Sequence, residues 1–130
     1  MLIAGFDGTR INSDLEELIV DRRIGGLILF ERNFQDIDQL TKLISELQML
    51  AKSCPASMPL FISVDQEGGR VSRLKSPFSA FPEPSRLGKA RSELLARRFG
   101  LALGKEMNAV GINMLYAPVL DVNTNSETIS

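Results

Sequence analysis

Short apolar runs alternate with longer amphipathic segments along this chain. The apolar runs occupy residues 2–6, 27–30, 60–64 and 112–120, and each of them is nearly continuous. Continuous runs of this length are typical of strands that are covered on both faces, as they are in parallel sheets. The pattern therefore predicts four buried strands.

Helical periodicity fills the interval between the first two runs. Ser13 and Glu16 have the spacing of a capping box, in which two side chains satisfy the first free amides of a helix. Gly25 and Gly26 are predicted to end this helix. Its apolar face is predicted to hold Leu15, Leu18 and Ile19.

The second interval carries the strongest helical pattern in the chain. Its helix is predicted to start at Asp36, with Gln39 as the reciprocal cap three residues later. Apolar residues then recur at spacings of three and four, namely Ile37, Leu40, Leu43, Ile44, Leu47 and Leu50. Such spacing places them on one face of a helix.

The third interval combines an irregular part with a helix. Residues 77–88 contain several prolines and are predicted to lack regular structure, whereas a helix is predicted from about Ser92 to Ala109. Gly111 stands where a left-handed cap is needed. The inner face of this helix is predicted to hold Ala96, Phe99, Leu103, Met107 and Val110.

Strand and helix alternate at intervals of roughly 30 residues, which predicts an α/β fold with a parallel sheet. A doubly wound sheet usually carries a glycine-rich phosphate loop after its first strand, but the sequence there is DGTRIN. Four βα units instead correspond to the N-terminal half of a TIM-type (β/α)8 barrel, which needs about 250 residues to close. We therefore expect residues 1–130 to form a partial barrel domain whose C-terminal part is missing.

Composition and charge narrow the class of protein. Hydrophobic residues make up 44% and charged residues 24% of the 130 residues, which is the balance of a folded domain. The net charge of -1 argues against nucleic acid or an anionic membrane as a partner. The first residues show neither a signal peptide nor a membrane span, so a cytoplasmic location is expected.

Cysteine and histidine usage limits the chemistry. Cys54 is the single cysteine and has no partner for a disulfide or a zinc site. The sequence contains no histidine, which excludes Ser-His-Asp and Cys-His catalysis within these residues. Any chemistry here uses carboxylates or is completed elsewhere.

A dense charged stretch, DQEGGRVSR, follows the third apolar run directly. In α/β barrels the functional groups lie at the carboxyl ends of the strands, where the loops converge on one mouth. Asp65 leaves a buried strand and needs a partner there, and ligand hydroxyls can supply it. Gly68 and Gly69 allow a sharp turn. Glu67 and Arg70 are predicted to pair and to brace the loop.

Three segments together resemble the N-terminal barrel domain of glycoside hydrolase family 3. They are GGLILFERNF, PLFISVDQEGGRVSRLKSPFSAFPEPSRLG and GLALGKEMNAVGINMLYAPVLDVN. Within the family they are most similar to the bacterial β-N-acetylhexosaminidases (β-N-acetylglucosaminidases) of cell-wall recycling. The resemblance covers nearly the whole chain, and the order of DQEGGRV followed by APVLDVN makes it specific.

The resemblance implies a barrel that hydrolyses terminal β-linked sugars with retention of configuration, through a covalent glycosyl-enzyme intermediate. It implies neither a metal nor an organic cofactor. The family's nucleophile is an aspartate on a late strand, and its acid/base is a histidine on a flexible loop. Neither motif occurs here, so both groups are expected beyond residue 130, no catalytic residue is expected in this chain, and the chain alone is expected to be inactive.

The substrate-binding positions of the family match this sequence better. By resemblance, Asp65 corresponds to the carboxylate that holds hydroxyls of the terminal sugar, and Arg73 to a basic residue beside it. Asp121 and Asn123 match the family's second block, where they either support the sugar-binding groups or only form a turn. A further family arginine is expected beyond residue 130. The candidates for a supporting role around the sugar-binding pair are Glu67, Arg70, Asp121 and Asn123.

The expected function is removal of terminal non-reducing β-linked N-acetylglucosamine from a muropeptide or glycoside, as in peptidoglycan recycling. One alternative is a β-glucosidase or another family 3 exo-glycosidase, because no residue here identifies an acetamido pocket. A second is a non-catalytic sugar-binding or scaffold fragment that self-associates through open barrel edges. A third, a barrel lyase, would use Asp65 and Glu67 as magnesium ligands.

Overall fold

Six short strands and four α-helices are found in the part of the chain that the structure describes. The computed structural model describes residues 2–55 and 58–120. In chain order the elements are β1 (Ile3–Gly5), α1 (Ser13–Val20), β2 (Gly26–Leu29), α2 (Ile37–Ser53), β3 (Phe61–Val64), β4 (Gln66–Gly68), β5 (Val71–Ser72), α3 (Pro84–Ala90), α4 (Glu93–Ala109) and β6 (Met114–Leu115). A short 3₁₀ helix, Glu31–Asn33, follows β2.

Four of the strands form one parallel sheet in the order β1-β2-β3-β6. At least one helix separates each of these strands from the next along the chain. Adjacent strands in the sheet are therefore connected by helical crossovers, as a parallel sheet requires. This arrangement confirms the predicted parallel α/β organisation and its four strands.

The core lies between the sheet and the helices. Leu27 and Leu29 of β2 and Ile62 and Val64 of β3 are fully buried, at 0% exposure. Side chains two apart on a strand share a face, so these four leucine, isoleucine and valine side chains form the layer on which the helices pack. They join one hydrophobic cluster with residues of α1, α2 and α4.

The amphipathic faces predicted for the first two helices are largely confirmed. The buried residues are Leu15 and Ile19 of α1 and Leu40, Leu43, Ile44 and Leu47 of α2. Leu18 and Leu50 are half-buried against the core. Ile37 departs from the prediction, because it lies in the first turn of α2 and is 38% exposed.

The predicted capping box of α1 is wrong by one residue. Asn12 is the N-cap, and its Oδ1 accepts a hydrogen bond of 2.9 Å from the amide of Leu15. Asn12 has extended backbone angles, whereas Ser13 is already helical. Asparagine caps a helix at least as well as serine does, so the earlier residue takes the role.

Gly25 and Gly26 do not end α1, which finishes at Val20. The amide of Gly25 donates to the carbonyl of Leu2 at 2.9 Å, and its carbonyl accepts from the amide of Phe61 at 3.0 Å. Gly26 begins β2, and a Cβ there would lie 2.5 Å from the carbonyl oxygen of Phe61. Gly26 therefore allows β2 and β3 to approach closely.

The predicted start of α2 is confirmed. Asp36 caps the helix, and its Oδ1 accepts from the amide of Gln39 at 2.8 Å. The side chain of Gln39 accepts in return from Gln35, one residue before the cap, at 2.9 Å. The reciprocal interaction is therefore present with its donor shifted by one residue.

The third predicted helix is also present, as α4, with Ser92 as its N-cap. Gly111 has a φ of 92°, which confirms the predicted left-handed cap. Leu103, Met107 and Val110 are buried as predicted. Two other positions of its predicted inner face are less covered, since Ala96 is exposed and Phe99 is half-buried.

Two predicted segments between residues 77 and 120 differ from the structure. Residues 77–88 were predicted to be irregular, but Pro84 starts the short helix α3, and proline favours the first turn of a helix. The fourth predicted strand is reduced to Met114–Leu115 within the described residues. Pro118 lacks the amide that a longer ladder needs.

In the part of the chain that the structure describes, none of the helices has the length and apolar character needed to cross a membrane.

We predict opposite effects for two glycine substitutions. Gly26→Ala would force a methyl group against the carbonyl of Phe61, so the free energy of unfolding should fall by about 1–3 kcal/mol. Gly100→Ala places its methyl group in open space on α4, so stability should rise by about 0.5–1 kcal/mol. Urea unfolding followed by circular dichroism measures both, and equal effects would contradict the assigned strand packing.

Candidate functional site

The carboxyl ends of the four parallel strands meet at one edge of the sheet. Ile28, Ser63 and Met114 are direct neighbours in the ladder. Side chains alternate along a strand, so the side chain two positions after each of these residues lies on the same face of the sheet. Phe30, Asp65 and Tyr116 are therefore neighbours at the mouth, on the face opposite the helices. The amide of Tyr116, which donates to the carbonyl of Val64 at 3.1 Å, continues the ladder to this level.

Asp65 and Arg73 come together at this mouth. The Nη2 atom of Arg73 lies 3.6 Å from Oδ2 of Asp65, and the two side chains are 38% and 28% exposed. An ion pair at this distance is longer than a normal charged hydrogen bond. Both groups therefore retain capacity to bind a polar ligand from the open side.

The guanidinium of Arg73 has unused donors. Its Nε atom is buried and has no hydrogen-bond partner within the described residues. A buried donor without an acceptor destabilises a site by about 1–3 kcal/mol. Arg73 is thus a cation held at the mouth with incomplete hydrogen bonding.

The charged stretch itself folds as an antiparallel hairpin of β4 and β5, which the sequence analysis missed. Gly68 and Gly69 have φ angles of 98° and 58°, so the predicted sharp turn at these glycines is confirmed. The amide of Gly69 donates to the carbonyl of Phe81 at 2.8 Å, so a residue outside the hairpin holds the turn in place. The available signal was a Gly-Gly pair between two short extended segments.

The predicted pairing of Glu67 with Arg70 is wrong. Gln66 pairs with Ser72 and Gly68 with Val71, so Glu67 is the extra residue of a β-bulge. Arg70 lies in the turn and is exposed. The two side chains form no ion pair within the described residues, because the bulge and the turn separate them.

The proline-containing segment after the hairpin packs against α4 and against the loop that precedes α2. The Phe78 ring lies 5.6 Å from the Phe34 ring, and the Phe81 ring lies 5.1 Å from the Phe99 ring, both edge to face. These contacts place the segment beside the hairpin, where its carbonyl at Phe81 can hold Gly69. Asp121 and Asn123, the other candidates for a supporting role, lie outside the described residues.

A buried asparagine links the ends of β1 and β2, and the sequence analysis missed it. Asn33 is 0% exposed, and its Oδ1 accepts from the amide of Phe30 at 2.9 Å. Its Nδ2 donates to the carbonyls of Phe6 and Gly8 at 3.1 and 2.8 Å. No sequence pattern marks Asn33 for this role, because all three of its partners are backbone groups.

Two further ion pairs join loops at the same edge. Arg32 donates from Nε to the carbonyl of Phe6 at 3.0 Å and lies 2.5 Å from Oδ1 of Asp7. Lys75, after the hairpin, contacts Glu31, after β2, at 2.5 Å. Each pair connects the loop of one strand to the loop of a neighbour.

The carboxylates of the described residues do not gather as a metal site. No group of three or more histidine, cysteine, aspartate or glutamate side chains that could hold a metal ion is found among residues 2–55 and 58–120. The magnesium alternative for Asp65 and Glu67 therefore gains no support from the geometry.

Comparison with known proteins identifies the family. Residues 2–130 match the model of the glycosyl hydrolase family 3 N terminal domain. The chain belongs to this family. A beta-hexosaminidase of Idiomarina loihiensis is 39% identical over 132 residues, which cover 98% of this chain and 38% of the relative. A beta-hexosaminidase of Alkalilimnicola ehrlichii is 38% identical over 127 residues, which cover 93% of this chain and 35% of the relative.

Solved structures of family 3 proteins agree with the fold. A beta-N-acetylglucosaminidase from Paenibacillus superposes with a TM-score of 0.90 at 41% identity, over 95% of this chain and 23% of that one. NagZ from Neisseria gonorrhoeae in complex with N-trifluoroacetyl-D-glucosamine superposes with a TM-score of 0.84 at 35% identity, over 93% of this chain and 36% of that one. These likenesses confirm the predicted family and fold class, the N-terminal part of a TIM-type barrel.

The family 3 chain described here spans little more than a third of the length of these two curated relatives. Its four-stranded parallel sheet corresponds to about half of the eight strands of a barrel. The candidate site is therefore one wall of a barrel mouth.

We predict that Asn33→Ala lowers the free energy of unfolding by about 1–3 kcal/mol. The amide of Phe30 and the carbonyl of Gly8 lose their hydrogen bond to the buried side chain, and the carbonyl of Phe6 keeps only its bond from Arg32. Asn108→Ala, an exposed position on α4, is the matched control and should change stability by less than about 0.5 kcal/mol. Urea unfolding measures both variants. Similar stabilities for the two would show that Asn33 does not hold the ends of β1 and β2 together.

Proposed function

We propose that this chain carries part of the sugar-binding wall of a retaining glycoside hydrolase that removes terminal non-reducing β-linked N-acetylglucosamine. The observation that carries the proposal is the Asp65–Arg73 pair, which lies after the carboxyl end of β3 at the two ends of the DQEGGRVSR stretch. The names of the relatives, beta-hexosaminidase and beta-N-acetylglucosaminidase, support the reaction and the sugar.

The chemistry of the pair suits the hydroxyl-rich face of a sugar. An ionised carboxylate accepts hydrogen bonds from two adjacent hydroxyls at once. A neighbouring guanidinium can donate hydrogen bonds to the same sugar. In this proposal Asp65 and Arg73 bind the terminal sugar and fix its orientation, and neither of them transfers a proton in the reaction.

We further propose that residues 1–130 are the N-terminal part of the barrel domain and that the nucleophile and the acid/base lie beyond them. The absence of histidine from the sequence and the fraction of each relative that is covered support this division. Turnover of an aryl β-N-acetylglucosaminide by the purified 130-residue chain would refute it. Reading the DNA after the codon for Ser130 tests it directly, since an arginine, a histidine-containing glycine loop and a late aspartate should follow.

The proposed substrate is an N-acetylglucosamine-containing muropeptide or glycoside, handled in the cytoplasm during peptidoglycan recycling. The named relatives favour this sugar over glucose. Rates of the complete enzyme on glucoside and N-acetylglucosaminide substrates separate the two specificities. Higher activity on the glucoside would favour a β-glucosidase or another family 3 exo-glycosidase.

We predict that Asp65→Asn weakens the binding of N-acetylglucosamine to the chain by about tenfold or more, because an amide loses the charge and half of the acceptor capacity. Chemical-shift titration of the labelled chain with the free sugar measures the affinity. The same spectra show whether the variant remains folded.

Asp38→Asn is the matched control for this substitution, since Asp38 is an exposed carboxylate in the first turn of α2. Its sugar affinity should equal that of the unmodified chain. An unchanged affinity in Asp65→Asn, or an equal loss in both variants, would rule out a sugar-binding role for Asp65.

We also propose that the chain self-associates through the open edges of its sheet. Within the described residues, β1 and β6 have one neighbouring strand each, and unpaired edges promote association. Large apolar side chains near the β6 edge and on α4 are exposed, namely Leu94, Leu95, Leu101, Val119 and Leu120. A second copy of the same half-barrel could cover them.

We predict that sedimentation velocity detects dimers or larger species whose fraction rises with protein concentration. Leu101→Lys should shift the distribution toward the monomer, because it places a charge on the exposed face of α4. Met49→Lys, an exposed apolar position on α2, is the control and should leave the distribution unchanged. A compact monomer at every concentration would exclude this mode of self-association.

A further inference from the structure

Gln66 is buried at 1% exposure directly beside the candidate sugar-binding pair. Its Oε1 accepts from the amide of Arg73 at 2.8 Å and from the amide of Leu74 at 3.1 Å. Its Nε2 donates to the carbonyl of Leu74 at 2.9 Å. One side chain therefore holds the backbone of two consecutive residues at the end of the hairpin.

Gln66 also occupies a fixed position relative to Asp65. The two residues are consecutive in an extended segment, so their side chains point to opposite sides of the backbone. Asp65 lies toward the mouth, while Gln66 points into the protein and reaches the returning strand. Asp65 is therefore joined to Arg73 through the adjacent Gln66, whose side chain binds the backbone amide of Arg73.

Apart from Gln66 and the buried Leu74, the contacts in this segment do little to fix the separation of Asp65 and Arg73. Between Gln66 and Arg73 the chain makes a bulged hairpin, whose ladder is only two strand residues long on the β5 side. The ion pair itself is partly exposed and longer than a hydrogen bond, so it contributes little rigidity. The buried Leu74, at 1% exposure, anchors the chain just after Arg73.

We propose that Gln66 is a positioning residue that sets the location of Arg73 relative to Asp65 and, through it, the affinity for the terminal sugar. The effect on sugar affinity rests on the proposed function, whereas the positioning of Arg73 does not. Gln66 acts on the backbone of Arg73 and does not touch the sugar. Buried amides that hold the residues around a site are known to tune its geometry.

The chain offers a matched control for a test of this role. Gln48 on α2 makes the same kind of contacts at the opposite end of β3, where its side chain donates to the carbonyl of Leu60 at 2.9 Å and accepts from its amide at 3.0 Å. Gln66→Met and Gln48→Met both remove a glutamine that is bonded to backbone. Both substitutions are expected to lower stability, so a stability measurement does not distinguish them. Only Gln66 lies next to the candidate site, so only its substitution should change the position of Arg73 relative to Asp65.

The first measurement needs no sugar. The Nε–H resonance of Arg73 is recorded in the 130-residue chain with and without Asp65→Asn, in the unmodified, Gln66→Met and Gln48→Met backgrounds. We expect Asp65→Asn to shift this resonance in the unmodified and Gln48→Met chains, and to have little effect after Gln66→Met. An undiminished shift in Gln66→Met would overturn the positioning role.

The second measurement uses N-acetylglucosamine as the probe. Gln66→Met should bind it about tenfold more weakly than the unmodified chain, as expected when one charged donor is misplaced. Gln48→Met should keep its affinity. Equal affinities in Gln66→Met and the unmodified chain would overturn the link to sugar binding.

The two measurements separate the two proposals. If the unmodified chain does not bind N-acetylglucosamine, the sugar-binding proposal fails for this chain, and the Arg73 resonance alone decides whether Gln66 positions the arginine. If Gln66→Met does not fold, Gln66→Asn is measured in the same way, since it keeps an amide but is one methylene too short for its oxygen to reach the amides of Arg73 and Leu74. The same results then support or overturn the proposal.

Discussion

Buried side-chain amides hold the main chain where the parallel strands of this protein end. Asn33 joins the ends of β1 and β2, and Gln66 joins the two sides of the hairpin that follows β3. Loops at such an edge leave many backbone groups without a partner, and burial makes each unpaired group costly. Satisfying them from a single buried side chain fixes the loops in one arrangement. The position of Asp65 and Arg73 at the mouth depends on this arrangement.

The ion pairs at the mouth have a different role. The pairs Asp65–Arg73, Asp7–Arg32 and Glu31–Lys75 are all partly exposed, and exposed pairs contribute little to stability. The first differs from the others because its distance is longer and the Nε of its arginine lacks a partner within the described residues. A pair with spare hydrogen-bonding capacity suits recognition of hydroxyl groups better than it suits bracing. This contrast directs the proposed sugar contact to Asp65 and Arg73.

The predictions from sequence succeeded where a local pattern carries the information. The apolar runs identified the four strands, the spacing of apolar residues in α2 identified its buried face, and Gly111 marked the end of α4. They failed where a residue acts on a distant segment. Gly25 and Gly26 resembled a helix end, but they lie in and before β2, where Gly26 allows the close approach of the neighbouring strand. The predicted Glu67–Arg70 pair is separated by a bulge. Pro84, within a segment that seemed irregular, starts a helix.

The sequence by itself determined the family, the order of strands and helices, and the residue types available at the mouth, because periodicity and the DQEGGRV block are contiguous features of the chain. Only the tertiary structure decided which of the charged residues meet. Arg73 lies eight residues from Asp65 in sequence, and its approach depends on a bulged hairpin and on three hydrogen bonds from Gln66. Those interactions join backbone groups to a side chain across the loop. Backbone amides and carbonyls are the same in every residue, so no sequence pattern marks the ones that Gln66 binds.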